Sequence, residues 1–548
     1  MKKNFKLFSF ALMGVAMAAL TSCGGQATTA TTDELGYDPD APQIEIGDNI
    51  AIANTQYGKV KGYISRGIYT YLGIPYGAST AGENRFMPPQ EPTPWDGVLN
   101  TVFWGTTAPQ NLDTQYASAV YSFRDHWNFF DVGEDCLKLN VWTPNTDNKK
   151  RPVMVWLHGG GYTAGSGIEQ DGYHGENISR KGDIVFVSIN HRLGTLAFSD
   201  FSGVDAKYED SGNCGTLDMI AALKWVHNNI ANFGGDPDNV TIMGQSGGGA
   251  KVCTMVASPL TKGLVHKAVA LSGSTIKAND QNVTKELGKF IVKESGKTVE
   301  QLKQMPWKEY IQLANDCAKK FAETNPGVNA RGFFGPIADG KILPKDGHFQ
   351  GKDLHNNNIP MIFCTTTAES GRSMLDPELE ASTPEQAVEL LSKNYGDKAQ
   401  KVYDAYNKVF PNQKPIDVIN LASSTRVGVI NSINAKAQQD APVYLAWFGW
   451  NPPTFDGRAK AFHCLDISFW FLNTDRMVSH SGGGKRPREL SKKMASALLS
   501  FMRTGNPNCA ELPEWPAYDT EKGATMILND KCEVLNDPDR EARATLAD

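Results

Sequence analysis

The sequence lacks the features of several large classes of protein. Its 54 basic and 60 acidic residues give a formal net charge of only -6 over 548 residues. It has no basic run or basic-aromatic stripe, which argues against a nucleic-acid surface. It has no CxxC pair or dense His/Cys cluster of the kind that holds zinc. No linker, repeat or low-complexity tract interrupts residues 49–548, so we predict a single domain there.

The first 22 residues are predicted to be a lipoprotein signal peptide. Lys2, Lys3 and Lys6 precede an apolar stretch at residues 7–20, which is too short for a comfortable membrane span. The string LTSC at 20–23 resembles a bacterial lipobox, in which the cysteine thiol receives the lipid. Cys23 is therefore the expected lipid attachment site. The alternative is an ordinary secretory peptide with an incidental cysteine.

The residues around Cys23 suggest where the mature chain resides. Residues 23–48 are rich in Thr, Ala, Gly, Asp and Pro and are expected to form a flexible tether. Gly24 and Gly25 follow Cys23 without an acidic run. For a Gram-negative host, we expect a lipid anchor in the outer membrane facing the periplasm, with surface display as the alternative. The eight remaining cysteines are scattered, and their pairing is left open.

From residue 152 onward, short apolar β-branched runs alternate with longer helical patterns. This rhythm predicts an α/β fold with a largely parallel central sheet and helices on both faces. Helical patterns at 282–323 and 384–439 are expected to be insertions that cover a substrate gorge. Upstream, residues 50–53 and 58–64 predict an antiparallel hairpin at the sheet edge. The predicted strands span residues 153–157, 184–189, 240–243, 267–271, 361–365 and 443–448.

The most informative motif is GQSGG at 244–248, between an apolar run and a helical pattern. A strand that runs directly into GxSxG and then a helix is the setting of a nucleophile elbow, because small neighbours permit the sharp turn. Alone the pattern is weak, since a chain with 52 glycines should contain it by chance roughly a few tenths of a time. Its position after a strand makes Ser246 a candidate nucleophile.

A second motif, HGGGY at 158–162, directly follows the predicted strand at 153–157. A glycine run lets backbone N–H groups converge on the point where a tetrahedral intermediate carries its negative oxygen. The alternatives are a plain glycine-rich strand end and a phosphate loop, but neither GxGxxG nor GxxxxGK occurs here. Together the two motifs favour the α/β-hydrolase fold.

Further strings extend this pattern along nearly the whole mature chain. They are YLGIPY at 71–76, RFMPP at 85–89, EDCLKLNV at 134–141, NHRLG at 190–194, FGGDP at 233–237 and EWPAY at 514–518. These strings resemble the type-B carboxylesterase family, which includes para-nitrobenzyl esterases, cholinesterases and the non-catalytic neuroligins. The resemblance implies the α/β-hydrolase fold and serine-dependent ester hydrolysis without a metal or organic cofactor.

The resemblance also implies a set of site residues. It places the nucleophile at Ser246, the acid at Glu369 in TTAES (366–370), and the general base at His463 in AFHCLDI (461–467). The order serine, acid, histidine is the usual one for the fold. The corresponding oxyanion donors are the N–H groups of Gly160, Gly161 and Gly247.

From the residues alone, these partners have plainer explanations. Glu369 fits a surface carboxylate, and His463 is one of ten histidines that could serve in a core hydrogen bond. Asp466 is the second candidate for the acid, but it follows His463 so closely that reaching the imidazole N–H in the required orientation is less favourable.

Three positions depart from the family pattern. Gln245 and Gly247 stand where the family usually has Glu and Ala, and the lost negative charge removes electrostatic help for a cationic substrate. In the family, a cysteine at the position of Ala108 often forms a disulfide with the cysteine at the position of Cys136. Because this chain has alanine there, we expect the disulfide to be absent. The expected substrate is a small or aromatic ester. The alternatives are a neuroligin-like binding module and a long-chain lipase.

Overall fold

Strands alternate with helices along most of the chain. The structure is a computed structural model that describes residues 35–112, 119–125, 128, 131–326, 328, 332–349 and 358–547. In chain order its strands are β1 (Ile44–Glu45), β2 (Ile52–Thr55), β3 (Gly58–Lys61), β4 (Tyr63–Ser65), β5 (Ile68–Pro75), β6 (Val98–Asn100), β7 (Lys138–Thr143), β8 (Arg151–Leu157), β9 (Val185–Ile189), β10 (Gly235–Gln245), β11 (Lys267–Leu271), β12 (Asn279–Asp280), β13 (Ile337–Ala338), β14 (Met361–Thr366), β15 (Val443–Phe448), β16 (Ala524–Leu528) and β17 (Glu533–Asn536).

Twelve of these strands form one sheet, in the order β1-β4-β5-β7-β9-β8-β10-β11-β14-β15-β16-β17. The strands from β9 to β16 in this order are mutually parallel, while the pairs outside them are antiparallel. The six runs predicted from the sequence correspond to β8, β9, β10, β11, β14 and β15, which confirms the predicted parallel sheet. A parallel sheet covered on both faces needs apolar side chains on both, which is why these runs are nearly continuous.

Helices cover both faces of the sheet. Successive side chains of β8 enter two different apolar cores, with Val153 and Val155 in one and Met154 and Trp156 in the other. The α-helices span Ala119–Arg124, Glu176–Gly182, Gly194–Phe198, Cys214–Asn229, Gly247–Ala257, Gln281–Ser295, Val299–Lys303, Trp307–Thr324, Pro384–Tyr395, Ala399–Val409, Pro415–Leu421, Ser424–Lys436, Ile467–Trp470, Val478–Ser481, Lys485–Thr504 and Arg540–Ala547. None of the helices in the described part of the chain has the length and apolarity needed to cross a membrane.

The predicted N-terminal hairpin forms, but its predicted place at the edge of the main sheet is wrong. β2 and β3 pair antiparallel and join β6 in a separate three-stranded sheet. The chain leaves this small sheet at Gly62, where a Cβ would lie 2.1 Å from the carbonyl oxygen of Thr70. Beyond Gly62 the chain enters the main sheet as β4. The edge strand is β1, which lies within the predicted tether and pairs with β4.

Both predicted insertions are helical, and each contributes to an apolar cluster apart from the two cores of the main sheet, although the last helix of the second, Ser424–Lys436, packs into one of those cores. The first forms an apolar cluster that includes Leu287, Tyr310 and Phe321. The second packs its own cluster against Ala542 of the C-terminal helix. It also contacts the loop after β14, because Ser370 Oγ donates a hydrogen bond to Asn420 Oδ1 at 2.9 Å. All eight cysteines after Cys23 are free thiols, Cys136 included.

Candidate active site

The candidate residues lie in loops that follow the C-terminal ends of parallel strands in the main sheet. The glycine run follows β8, Ser246 follows β10, and Glu369 lies in the loop after β14. His463 comes from the longer connection after β15. The C-terminal ends of parallel strands lie side by side, so the loops after them bring together residues that are far apart in sequence. Active and binding sites of α/β proteins usually lie at these strand ends.

Ser246 occupies a strained turn between β10 and the helix Gly247–Ala257. Its backbone has φ 59° and ψ -124°, a conformation that costs a non-glycine residue of order 1–3 kcal/mol. The turn is fixed because Ser246 N donates to Leu271 O at 2.8 Å. Its neighbours must be small: a Cβ on Gly244 would lie 2.4 Å from Gly248 O, and one on Gly273 would lie 1.7 Å from Ser246 O.

His463 and Glu369 form a direct hydrogen bond, with Nδ1 of the imidazole 2.5 Å from Oε2 of the carboxylate. The other carboxylate oxygen, Oε1, accepts from Ser272 Oγ and from Thr366 N, each at 2.8 Å. The glutamate is buried, while the His463 side chain retains 15% exposure. The buried carboxylate is therefore oriented by three partners, and the imidazole remains partly accessible to solvent.

A small backbone contact sets this pair side by side. Ala368 and Phe462 form an isolated parallel bridge, and Ala368 N donates to Ala461 O at 3.1 Å. Glu369 and His463 each follow one member of the bridge. A second contact links this pair to the turn at Ser246: Cys464 Sγ, in the residue after the histidine, donates to Oε1 of Gln245, the residue before Ser246, at 3.3 Å.

The glycine run lies against the elbow. Gly160 and Gly161 have φ of 79° and 61°, values that glycine adopts without a steric cost. A Cβ on Gly247 would lie 2.3–2.4 Å from the N, Cα and O atoms of Gly161. Glycine at position 247, where the family usually has alanine, therefore allows the Gly161 backbone to approach unusually closely.

Asp466 makes no hydrogen bond to His463, whose Nδ1–H donates to Glu369. It is fully buried, and its Oδ2 accepts from Trp470 Nε1 at 3.3 Å. Among the described residues, its Oδ1 has no hydrogen-bond partner. Burial, reinforced by the charge of Glu369, raises the pKa of Asp466 to about 7. Cys464 is also buried, which raises the pKa of its thiol and makes it a packed rather than a reactive cysteine.

The sequence reasoning missed two residues at this site. Ser272 supports Glu369, and its place directly after β11 at the carboxyl edge of the sheet was the available signal. Lys251 lies in the helix after Ser246, has no solvent exposure and bonds to the glycine-run loop. A lysine within the otherwise small and apolar string GGGAKVCTMVA was the signal for it.

Two predicted features are not located by the structure. The signal peptide and the lipid attachment site Cys23 lie outside the described residues. In the part of the chain that is described, no cluster of three or more His, Cys, Asp or Glu side chains is arranged to hold a metal ion.

The chain is similar in sequence to known esterases over nearly its whole length. The family model described as the carboxylesterase family matches residues 49–545. The para-nitrobenzyl esterase of Bacillus subtilis (strain 168) is 33% identical over 505 residues, which cover 90% of this chain and 98% of that protein. The phenmedipham hydrolase of Pseudarthrobacter oxydans is 29% identical over 514 residues, covering 90% and 99%.

Solved structures share the fold as well. An esterase from the anaerobe Clostridium hathewayi, described as able to hydrolyse aliphatic aromatic polyesters, has a TM-score of 0.77 and 32% identity. The match covers 92% of this chain and 99% of that one. A structure of PNB esterase has a TM-score of 0.73 at 31% identity, covering 90% and 99%.

The raised pKa of Asp466 predicts a pH-dependent gain in stability for Asp466→Asn. In the unfolded chain the carboxyl ionises near pH 4, whereas in the folded chain it ionises near pH 7. The wild type therefore loses stability as the pH rises between these values, by up to about 4 kcal/mol. Asparagine removes this loss. In equilibrium urea unfolding, the free energy of unfolding of the variant, relative to that of the wild type, should increase from pH 5 to pH 8. The control Asp96→Asn, at an exposed position, should show no such increase. An equal difference at both pH values would contradict the assignment.

Proposed function

The chain belongs to the carboxylesterase family of serine ester hydrolases with the α/β-hydrolase fold, and on this premise we propose how it acts. Ser246 is the nucleophile, His463 the general base, and Glu369 the acid that orients the imidazole. The N–H groups of Gly160, Gly161 and Gly247 are the oxyanion donors. The substrates are small or aromatic carboxylic esters.

One observation carries this proposal: a serine in a strained turn lies against a glycine run, and a hydrogen bond from Cys464 to Gln245 joins this turn to the loop of a histidine whose Nδ1 is bound by a buried glutamate. The hydrogen bond to Glu369 orients the ring so that its other nitrogen, Nε2, is the one free to accept a proton. The bond also stabilises the imidazolium that forms when the proton arrives. The strained backbone holds Ser246 Oγ at the open edge of the sheet.

In the acylation step, Ser246 Oγ forms a bond to the ester carbonyl carbon while its proton moves to His463. The electron pair of the carbonyl π bond moves to oxygen, which becomes the negative oxygen faced by the three proposed N–H donors. Gly247 opens an α-helix, and the positive end of the helix dipole adds to this stabilisation. When the bond to the alcohol breaks, His463 returns the proton to the departing alkoxide, and the acyl group remains on Ser246.

In the deacylation step, water attacks the acyl carbon while His463 accepts one of its protons. The second tetrahedral intermediate uses the same donors. It collapses to release the carboxylic acid, and Ser246 regains its proton from the imidazolium. His463 accepts and gives back one proton in each half of the cycle, and water replaces the proton that Ser246 lost to the alcohol, so these residues complete the reaction without a metal or organic cofactor.

The relatives support aromatic esters as substrates. They include a para-nitrobenzyl esterase, a phenmedipham hydrolase and an esterase described as able to hydrolyse aliphatic aromatic polyesters. The substitution of Gln245 for the family's usual glutamate disfavours cationic substrates, because it removes a negative charge next to Ser246. A neuroligin-like binding role is not favoured, since these relatives are hydrolases and the candidate serine, acid and histidine are all present.

We further propose that the chain is exported and anchored by lipid at Cys23 to the outer membrane of its host, facing the periplasm. The charged N-terminus, the short apolar stretch and LTSC at 20–23 support this proposal. It depends on the sequence alone.

Ser246→Ala tests the proposed nucleophile. The purified full-length chain should hydrolyse para-nitrophenyl esters with short acyl chains and lose activity steeply towards palmitate. The variant should fall by about 10⁴-fold or more in kcat, because the acyl-enzyme can no longer form. Equal activity in both proteins would contradict the assignment of Ser246. High activity on palmitate would instead favour a long-chain lipase.

Gly247→Ala tests the close approach of the glycine run to the elbow. The added methyl group would meet the Gly161 backbone at 2.3 Å and must displace the proposed oxyanion donors. Because loss of one donor typically costs about 10²–10³ in kcat, we expect kcat/KM on short esters to fall at least tenfold. Gly428→Ala is the matched control, since its nearest contact would be an ordinary 3.7 Å. An unchanged kcat/KM for Gly247→Ala would show that the loop adapts without loss.

Cys23→Ser tests the lipid anchor. Expressed in a Gram-negative host, the wild-type chain should partition into the detergent phase of a Triton X-114 extract, because its apolar lipid enters the micelle. The variant cannot be lipidated and should partition into the aqueous phase. Aqueous partitioning of the mature wild-type chain would instead favour an ordinary secretory peptide.

A further inference from the structure

Lys251 is a buried charged residue that the proposed reaction does not use. It lies in the helix Gly247–Ala257, and its side chain has no solvent exposure. Its Nζ donates to His158 O at 2.9 Å and to Gly159 O at 3.4 Å. Nζ also lies 5.9 Å from the centre of the Tyr162 ring. All three contacts are with the segment that carries the glycine run.

Lys251 contacts the carbonyl oxygens of two peptide groups in this segment, and the N–H group on the other side of the second is one of those proposed to face the substrate. A trans peptide is planar, and its C=O and N–H point in opposite directions. The oxygen of Gly159 and the N–H of Gly160 belong to one such peptide. A donor that holds the Gly159 oxygen therefore fixes the direction of the Gly160 N–H on the opposite side. A hydrogen bond to the oxygen also polarises the N–H of the same peptide.

The glycine run needs such support because it has little rigidity of its own. Gly160 and Gly161 adopt left-handed backbone angles, and glycine loses more conformational freedom on ordering than any other residue. The His158 ring stacks on His191 at 4.9 Å between ring centres, and its own Nδ1 lies 2.9 Å from Gly159 O. The loop is thus held by a stacked ring and by the lysine.

The burial of this amine argues against simple packing. Burial lowers the pKa of Lys251 to about 7, and the charge of the buried Glu169 opposes the shift. Removing an ammonium group from water is costly, so an apolar side chain of similar length would fill the space more cheaply. What an apolar residue would not provide is the pair of hydrogen bonds to the loop carbonyls.

We propose that Lys251 is a positioning residue for the oxyanion site, which holds the carbonyls of His158 and Gly159 so that the Gly160 N–H faces the reacting ester. This inference rests on the proposed function, because it assigns a partner to the proposed oxyanion donors. It requires that Lys251 act on the transition state and leave the binding of the intact ester unchanged.

The test compares Lys251→Met with Lys436→Met in the full-length chain. Lys436 is the matched control: it is also fully buried, its pKa is also lowered to about 7 by burial, and it lies in the helix Ser424–Lys436. For Lys251→Met, we expect kcat/KM on a short para-nitrophenyl ester to fall at least 30-fold, with KM within threefold of wild type. Lys436→Met should stay within twofold on both measures.

A pair of inhibitors separates positioning from a general loss of structure. A substrate-shaped trifluoromethyl ketone is attacked by Ser246, whose proton moves to His463 as the carbonyl electrons move to oxygen. Its Ki should rise by the same factor as kcat/KM falls. The matching secondary alcohol cannot be attacked, and its Ki should stay within twofold. Thermal unfolding is measured alongside, and assays are run well below the Tm of each variant.

The outcomes are distinct. If Lys251→Met keeps kcat/KM within threefold of wild type, or if both inhibitors weaken together, the inference is overturned. If the variant does not fold, Lys251→Gln replaces it under the same criteria. If the wild-type chain shows no turnover that depends on Ser246, the proposed function itself fails, and that result is seen before any lysine variant is compared.

Discussion

The site depends on a close backbone approach between two loops. The glycine run after β8 and the turn after β10 touch main chain to main chain, with no room for a Cβ at Gly247 or Gly248. β8 and β10 are neighbours in parallel register, so the two loops leave the sheet side by side. The strained Ser246 persists because this packing over-determines it. A larger residue at Gly247 or Gly248 would push the glycine run away from the turn that holds Ser246.

Around this contact the protein buries groups that are costly to bury. Glu369 is stabilised by three partners, whereas Asp466, a few residues from His463, has an oxygen without a partner among the described residues. Lys251 lies behind the glycine run with no solvent exposure. Polar groups inside a core are tolerated when hydrogen bonds compensate them, and they make the arrangement specific. Their concentration here, beside strained backbone at Ser246, Ser272 and Cys464, is the pattern expected of a functional site.

Much of the fold was predictable because its signal is local. A short apolar run bounded by glycine or polar residues identifies a central parallel strand, and all six such predictions are confirmed. The hairpin was also correct as a hairpin, but its sheet was not. The chain changes sheets at Gly62, between β3 and β4, where its backbone lies close to Thr70 on β5. The sequence window around residues 58–64 contains no trace of that contact.

The sequence by itself determined the strand and helix pattern, the elbow motif at Ser246 and the glycine run, because each depends on residues adjacent along the chain. Which of Glu369 and Asp466 bonds to His463 was decided by the tertiary structure. Asp466 is close to His463 in sequence, whereas Glu369 is 94 residues away and reaches the imidazole only because the Ala368–Phe462 bridge joins their loops. The same holds for Lys251, whose partners His158 and Gly159 are more than 90 residues away. Contacts across such separations depend on how strands and loops pack, and no short stretch of sequence encodes them.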